Sequence, residues 1–280
     1  MILTMLFGVV STSRPLMAAV VSTAQYDNSR TGANTSETLL NLVNVNTSTF
    51  GQLGAFAVDG EVRTQPLYIP SVLINGRGTN VLFVATMHNS VYAFDATRPG
   101  SAALWKTTFA PSVPAAVAGT CPASWATGPE IGILGTPVID TNTGTLYAVY
   151  ATPTGANSYG FYIAALDITT GAHKTGSPTR ILASVPGAGY DASGGIVSLN
   201  ETTYTQRPAL ALSNGHVYVG MGSCGPDPDP YHGWVIGYNA ANVSVQTSVY
   251  NSTPNGSEGA VWQSGRGIVV DNSGNLYAST

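Results

Sequence analysis

The strand-and-turn stretch YIAALDITTGAHKTG (residues 162–176) has two counterparts in this chain, SVYAFDATRPGSAALWKT (90–107) and GWVIGYNAANVSVQTSV (233–249). Each runs from a small or β-branched segment through an aromatic residue or leucine to an Asp or Asn, then turns. Asp95 to Asp167 is 72 residues (167 − 95), and Asp167 to Asn239 is also 72 (239 − 167). A second anchor repeats with nearly the same period. GTPVIDTNTGTLYAVYA (135–151) and QRPALALSNGHVYVGMG (206–222) share a proline, an apolar run, a turn and an apolar strand with tyrosine, and Pro137 to Pro208 is 71 residues (208 − 137). TQPLYIPSVLINGRGTNVLFVAT (64–86) carries the pattern earlier with a longer turn, and GRGIVVDNSGNLYAST (265–280) carries it later without the proline. A fixed period of this kind means one supersecondary unit written several times.

Each unit reads as four strands, A to D. In the second, A is PVID, B is TLYAVYA, C is FYIAALD, and D lies within 172–183. Strand B is apolar on both faces, with Leu146, Ala148 and Tyr150 on one and Tyr147 and Val149 on the other. A strand apolar on both faces is covered on both sides. Four-stranded antiparallel sheets, covered on both faces and repeated about an axis, make an all-β β-propeller. The spacing predicts a leader over 1–24, a lead-in segment over 25–63, blades over 64–110, 135–183 and 206–250, and the start of another over 265–280. About three and a half blades are fewer than a closed ring takes. The expectation is an incomplete propeller whose free edges expose apolar surface.

Composition narrows the function. Charged residues are 9 % of 280 and the formal net charge is −4, which gives no basic surface for nucleic acid. The apolar run from Met1 to Val10 is too short to span a bilayer, and small residues follow it. Ser22-Thr23-Ala24 reads as a cleavage site, so the chain is expected to be exported to the periplasm, cell surface or medium. The two cysteines, Cys121 and Cys224, form no CxxC and no Cys/His cluster, so no metal site is read from them. In an exported chain they are expected to form a disulfide, both emerging on the same face of neighbouring blades. Six Asn-x-Ser/Thr sequons begin at Asn34, Asn46, Asn200, Asn242, Asn251 and Asn255.

ALDITTG and AFDATRPGSAALW resemble the blade motif of the pyrroloquinoline-quinone (PQQ) dehydrogenase-type propeller repeat, Ala-x-Asp-x-x-Thr-Gly followed by Trp. Ala165, Asp167, Thr170 and Gly171 match fully, and Ala93, Asp95 and Trp105 match around an insertion. QYDNSRTGANTSETLLNLVNVNTSTFGQLGAF (25–56) is similar to the segment that leads into such propellers. PYHGWVIGY and NGSEGAVWQSG also resemble stretches of exported bacterial propellers of unassigned role. The resemblance implies a propeller and, for its dehydrogenase members, PQQ with calcium. In the repeat itself Asp95, Asp167, Thr170, Gly171 and Asn239 need only a turn-forming role: the acceptor takes turn amides and glycine takes the positive φ. Trp105 is expected to fill the space between blades.

Chain direction gathers B–C loops and D–A connections on one face, the D–A segments being 110–134, 184–206 and 251–265 and the B–C segments 152–160 and 222–233. The A–B turns opposite are short. Loops on a rigid scaffold are where function usually sits. The long-loop face holds Trp125, Asp191 and Glu201, with His88 in a tight turn. The candidate ligand-binding residues there are Glu130, Asp227, Asp229, His232, Glu258 and Trp262. Glu130 and Glu258 precede strand A of different blades, so both are expected nearest the axis, with His232 and the Asp pair farther out. Carboxylates mixed with aromatics suit a polar ligand or a cation. His173 and His216 fall in turns. DTNTG and DNSGN read as hairpin turns rather than calcium loops, because the glycine falls before the sixth position that a calcium loop needs. No nucleophile elbow and no His-Glu-x-x-His occur. Three functions are therefore weighed: a binding or scaffold module for a protein, glycan or small ligand with no cofactor; a PQQ-dependent quinoprotein oxidoreductase; and a glycan-binding or glycan-acting protein. The family's adjacent Cys-Cys pair is missing, since the cysteines stand 103 positions apart (224 − 121).

Overall fold

A computed structural model describes residues 19–48, 50–115, 128–224, 227, 229–263 and 266–280. Among them there is no α-helix, and no helix long and apolar enough to cross a membrane. The first blade is an antiparallel meander of β1 (Leu67–Ile74), β2 (Arg77–Ala85), β3 (Ser90–Asp95) and β4 (Trp105–Thr108). A short ribbon, β5 (Val113–Pro114) with β6 (Glu130–Ile131), lies in the connection to the second blade. That blade is β7 (Val138–Asp140), β8 (Thr145–Gly155), β9 (Ser158–Asp167) and β10 (Thr179–Arg180). A second ribbon follows, β11 (Ser184–Pro186) with β12 (Ile196–Ser198). The third blade is β14 (Ala211–Ser213), β15 (His216–Ser223), β16 (Trp234–Asn239) and β17 (Gln246–Asn251), and β13 (Tyr204–Thr205) pairs with the far end of β15. The hairpin β18 (Val269–Val270) with β19 (Leu276–Tyr277) opens the next repeat.

Alternation along β8 builds the stack. Leu146, Ala148 and Tyr150 enter a core shared with the first blade, beside Leu67, Phe83 and Val91. Tyr147, Val149 and Ala151 enter the core shared with the third, beside Val217, Trp234 and Ile236. The period of two thus places each strand in two hydrophobic layers at once.

The repeated turn works as the sequence suggests. Asp167 accepts from the Thr169 and Thr170 amides at 2.8 and 3.2 Å, Asp95 accepts from Thr97, and Asn239 accepts from Ala241 and Asn242. Gly171 has φ of +73°, and a Cβ there would stand 2.6 Å from the Trp105 ring and from Thr107 Oγ1. Trp105 crosses from the first blade, stacks over this glycine and donates from Nε1 to the Ile168 carbonyl at 2.9 Å. One residue of the motif therefore serves both its own turn and the seat of its neighbour's tryptophan.

Residues 21–30 thread along the innermost strands as an axial strap. Val21 exchanges backbone hydrogen bonds with Tyr68 of β1, and the Ile139 amide of β7 donates to the Ser22 carbonyl at 2.7 Å. Asn28 Nδ2 donates to the Leu212 carbonyl of β14 at 2.9 Å, and the Val270 amide of β18 donates to the Asn28 carbonyl at 2.9 Å. Arg30, only 5 % exposed, donates to the carbonyls of Leu210 and Ile268 at 3.0 and 3.2 Å and to Thr23 Oγ1 at 2.5 Å. Four successive A strands are thus tied to one segment, which identifies the A strands as axial. Thr23 and Ala24 are buried. A leader cut after Ala24 would remove the Val21, Ser22 and Thr23 contacts. The following stretch behaves differently: Leu42 and Leu53 are 99 % and 93 % exposed, and Asn34, Glu37 and Asn41 hydrogen-bond to near neighbours in the chain.

Candidate functional site

The long-loop face is more ordered than its composition suggests. The expected B–C segment 152–160 is strand almost throughout: β8 and β9 stay paired from Thr145–Asp167 out to Gly155–Ser158, with a register shift between Pro153 and Gly155. Tyr159 and Phe161 in the core hold the hairpin straight there. The connections before the second and third blades contain the β5–β6 and β11–β12 ribbons.

Glu130 is a latch. Its carboxylate accepts from Ser112 Oγ and pairs with His88 Nδ1 at 2.9 Å, joining the connection before the second blade to the tight turn between β2 and β3. Glu201 does the same one repeat later. It accepts from the Phe161 amide at 3.2 Å and from Arg180 Nε and Nη2 at 3.2 and 2.6 Å. The two glutamates are 71 residues apart (201 − 130). That spacing was the signal for a shared structural role, and the blade motifs drew attention away from it. Glu130 does not line the cleft that holds Glu258.

The His232 side chain is held among the loops by hydrogen bonds at both ring nitrogens. It is 0 % exposed. Nε2 meets Asp191 Oδ1 at 2.9 Å, Nδ1 meets Thr253 Oγ1 at 3.0 Å, and its amide donates to the Tyr204 hydroxyl at 2.7 Å. The imidazole pins three loops together, and close backbone packing from Gly189 covers it: a Cβ there would lie 3.1 Å from Cε1.

The remaining candidates converge. A cleft of about 550 Å³ between the third blade and the next repeat is lined by Ser223 from the end of β15, Asp227 and Tyr231 from the β15–β16 loop, and Glu258 and Trp262 from the following connection. Ser223 Oγ donates to Asp227, and the Glu258 amide donates to the Tyr231 carbonyl at 2.6 Å. Asp227 and Glu258 hold φ of +59° and +71°, a region that costs energy for residues with a Cβ. Trp262 keeps 36 % of its surface exposed, with Gly222 close beneath the ring. Asp229 is exposed on the same loop but does not line the cleft. Burial, then the charges of Asp227, Glu258 and Asp229, push the Tyr231 phenol up. Negative potential therefore fills a space bounded by two aromatic rings.

Trp125 and Cys121 lie outside the described residues. Among those described no cysteine is free, and Cys224 is buried at the foot of the Asp227 loop. A calcium-bound quinone asks for several oxygen donors converging on one point. Among the described residues no three His, Cys, Asp or Glu side chains converge to hold a metal ion.

No protein-family model matches the chain, and no curated protein sequence does. Solved structures similar to it include a quinohemoprotein alcohol dehydrogenase from Pseudomonas putida HK5, with 15 % identity and a TM-score of 0.47 over 81 % of this chain and 30 % of that one. A europium-containing methanol dehydrogenase gives 19 % identity and 0.46 over 76 % of this chain and 29 % of that one. A quinohemoprotein alcohol dehydrogenase from Comamonas testosteroni gives 14 % and 0.42 over 93 % and 45 %. The chain spans less than half the length of each. The propeller assignment stands on the blade topology, the shared layers between blades and the axial strap.

Proposed function

We propose that this chain is an exported binding module whose site is the cleft between Asp227, Tyr231, Glu258 and Trp262, and whose ligand carries an organic cation. The observation that supports it is the meeting of two carboxylates and two aromatic rings in one solvent-open space of about 550 Å³. A quaternary ammonium loses little hydration on entering such a space and is held by ring faces as well as by charge. Backbone strain at Asp227 and Glu258 fits a loop conformation kept for binding rather than for folding.

The test is titration with tetramethylammonium and, as a neutral control, 3,3-dimethylbutanol, read by tryptophan fluorescence. Saturable quenching by the cation alone, lost in Trp262→Ala and weakened in Asp227→Asn, supports the proposal. Equal response to both probes, or no response to either, overturns it. Adding PQQ with calcium and scanning for a bound quinone spectrum tests the quinoprotein reading in the same preparation, and a glycan array tests the third.

A further inference from the structure

A second cleft lies on the opposite face, between the second and third blades, and has a volume of about 840 Å³. The second blade contributes Asp140, Thr143 and Lys174, and the third contributes Asn214, His216 and Ala241, with His173 at the rim. This size is in the range of small-molecule sites.

Lys174 is the unusual member. The chain has two lysines, and the other, Lys106, is paired with Asp59 at 2.9 Å. No ion pair takes Lys174 among the described residues. Its ammonium is nonetheless held in place, donating to the Thr143 carbonyl and to Thr145 Oγ1, both at 2.7 Å. Three N–H groups minus these two leaves one for a ligand. The lysine has no part in the repeat: positions one period away hold Ala102 (174 − 72) and Gln246 (174 + 72). Lys174 helps to lower the Asp167 carboxyl from a distance, yet its direct partners are a carbonyl and a hydroxyl, and the position has no counterpart in the other blades.

The rest of the lining defines the partner. Asp140 spends its oxygens on the Asn142 amide and the Thr143 hydroxyl, at 2.9 and 2.8 Å, yet its charge stays in the cleft. One cation beside one anion favours a single negative charge over two. Thr143 and Asn214 offer hydroxyl and amide groups around it. His216 lines the cleft and its Nδ1 is buried without a hydrogen-bond partner among the described residues. His173 Nδ1 is engaged by Ser177 Oγ at 2.8 Å, which leaves Nε2 for a ligand.

From these groups we infer that the cleft is a second binding site, for a small hydroxylated monocarboxylate, with Lys174 taking the carboxylate and the His, Thr and Asn side chains taking hydroxyls. The site is independent of the cation cleft on the far face.

The experiment titrates the protein with glucuronate and with glucose, following the imidazole proton resonances of His173 and His216. Saturable shifts with glucuronate are expected, with glucose about tenfold or more weaker for want of the charge-assisted hydrogen bond. Lys174→Gln should weaken glucuronate by a similar factor at an unchanged melting temperature. Ala241→Trp, which fills the cleft from the other wall without touching the ammonium, should abolish the shifts. Asp227→Asn should leave them intact. No saturable shift in the wild-type protein, equal response to both sugars, or undiminished binding in a folded Lys174→Gln or Ala241→Trp overturns the inference.

Discussion

Replacing Arg30 by methionine should destabilise the chain by about 3 kcal/mol. The guanidinium makes four hydrogen bonds of 3.2 Å or less, to Thr23 Oγ1 and to the carbonyls of Ala24, Leu210 and Ile268. At about 1.5 kcal/mol for each charge-assisted bond they contribute about 6 kcal/mol. Burial opposes them. Desolvation pulls the Arg30 pKa down from 12.5 to about 10, only partly countered by Asp27. A depression of that size is a penalty of about 3 kcal/mol at 1.36 kcal/mol per pKa unit. The difference is the expected loss. Methionine fills the volume of the stem and relieves the desolvation, but takes the guanidinium donors from the Ile268 and Leu210 carbonyls and leaves Leu210 only the 3.5 Å contact from the Thr23 hydroxyl. Urea denaturation followed by tryptophan fluorescence measures it, as a lower midpoint at an unchanged slope. A methionine variant as stable as the parent, or more so, would refute the reasoning. It would mean that desolvation outweighs the hydrogen bonds, as happens when some buried ionic groups are replaced by apolar ones.

Gly171→Ala should cost about 2 kcal/mol or more, because the new Cβ meets both a positive φ and the Trp105 ring; chemical denaturation checks it, and Thr170→Ala serves as the mild control. Stability should fall between pH 10 and 12. Burial raises the phenols of Tyr150, Tyr204 and Tyr238 to about 12, so they stay neutral in the folded chain while the unfolded chain ionises near 10, and the stability they add below pH 10 is lost as pH rises through 12. Thermal midpoints across that range read it, and a flat profile would contradict it. Cys121 and Cys224 should form one disulfide, seen as a peptide pair by mass spectrometry without reductant and absent with it; two alkylatable thiols in the folded protein would exclude the pairing. Deleting residues 1–24 should unfold the chain at lower urea than deleting 1–18, since only the first removes the Val21 and Thr23 contacts; equal midpoints would show that the strap begins later.

The blades were legible because their determinants are local. Asp167 reaches amides two and three residues on, and the alternation through 146–150 divides side chains between two layers without reference to distant partners. The site was legible only in part. Asp227, Glu258 and Trp262 do meet, since strand direction put their loops on one face. The Glu130 and His232 side chains do not line that cleft, although His232 bridges Glu258 through the backbone; each side chain is held by groups that sequence spacing does not bring near: His88 lies 42 residues from Glu130, and Asp191 lies 41 from His232. The strap was invisible for the same reason carried further. Nothing in AQYDNSRTG has a strand or helix period, and its partners are named by the fold alone. Lys174 reads in sequence as an ordinary turn residue; its hydrogen bonds to Thr143 and Thr145, 31 and 29 residues away, exist only in three dimensions.

The strap also inverts the order in which the chain can be finished. A ribosome or an export channel delivers residues 21–30 first, yet Thr23 meets Leu210 across 187 positions and Arg30 meets Ile268 across 238. Blades of about 72 residues can close as they emerge, each on contacts within itself and with the blade before it. The strap cannot complete these contacts until Ile268 has arrived. Compared with one period, closing the longer loop adds only about 1 kcal/mol of chain entropy. The delay is therefore one of time rather than of equilibrium, and a segment made before these blades is locked only after they have formed.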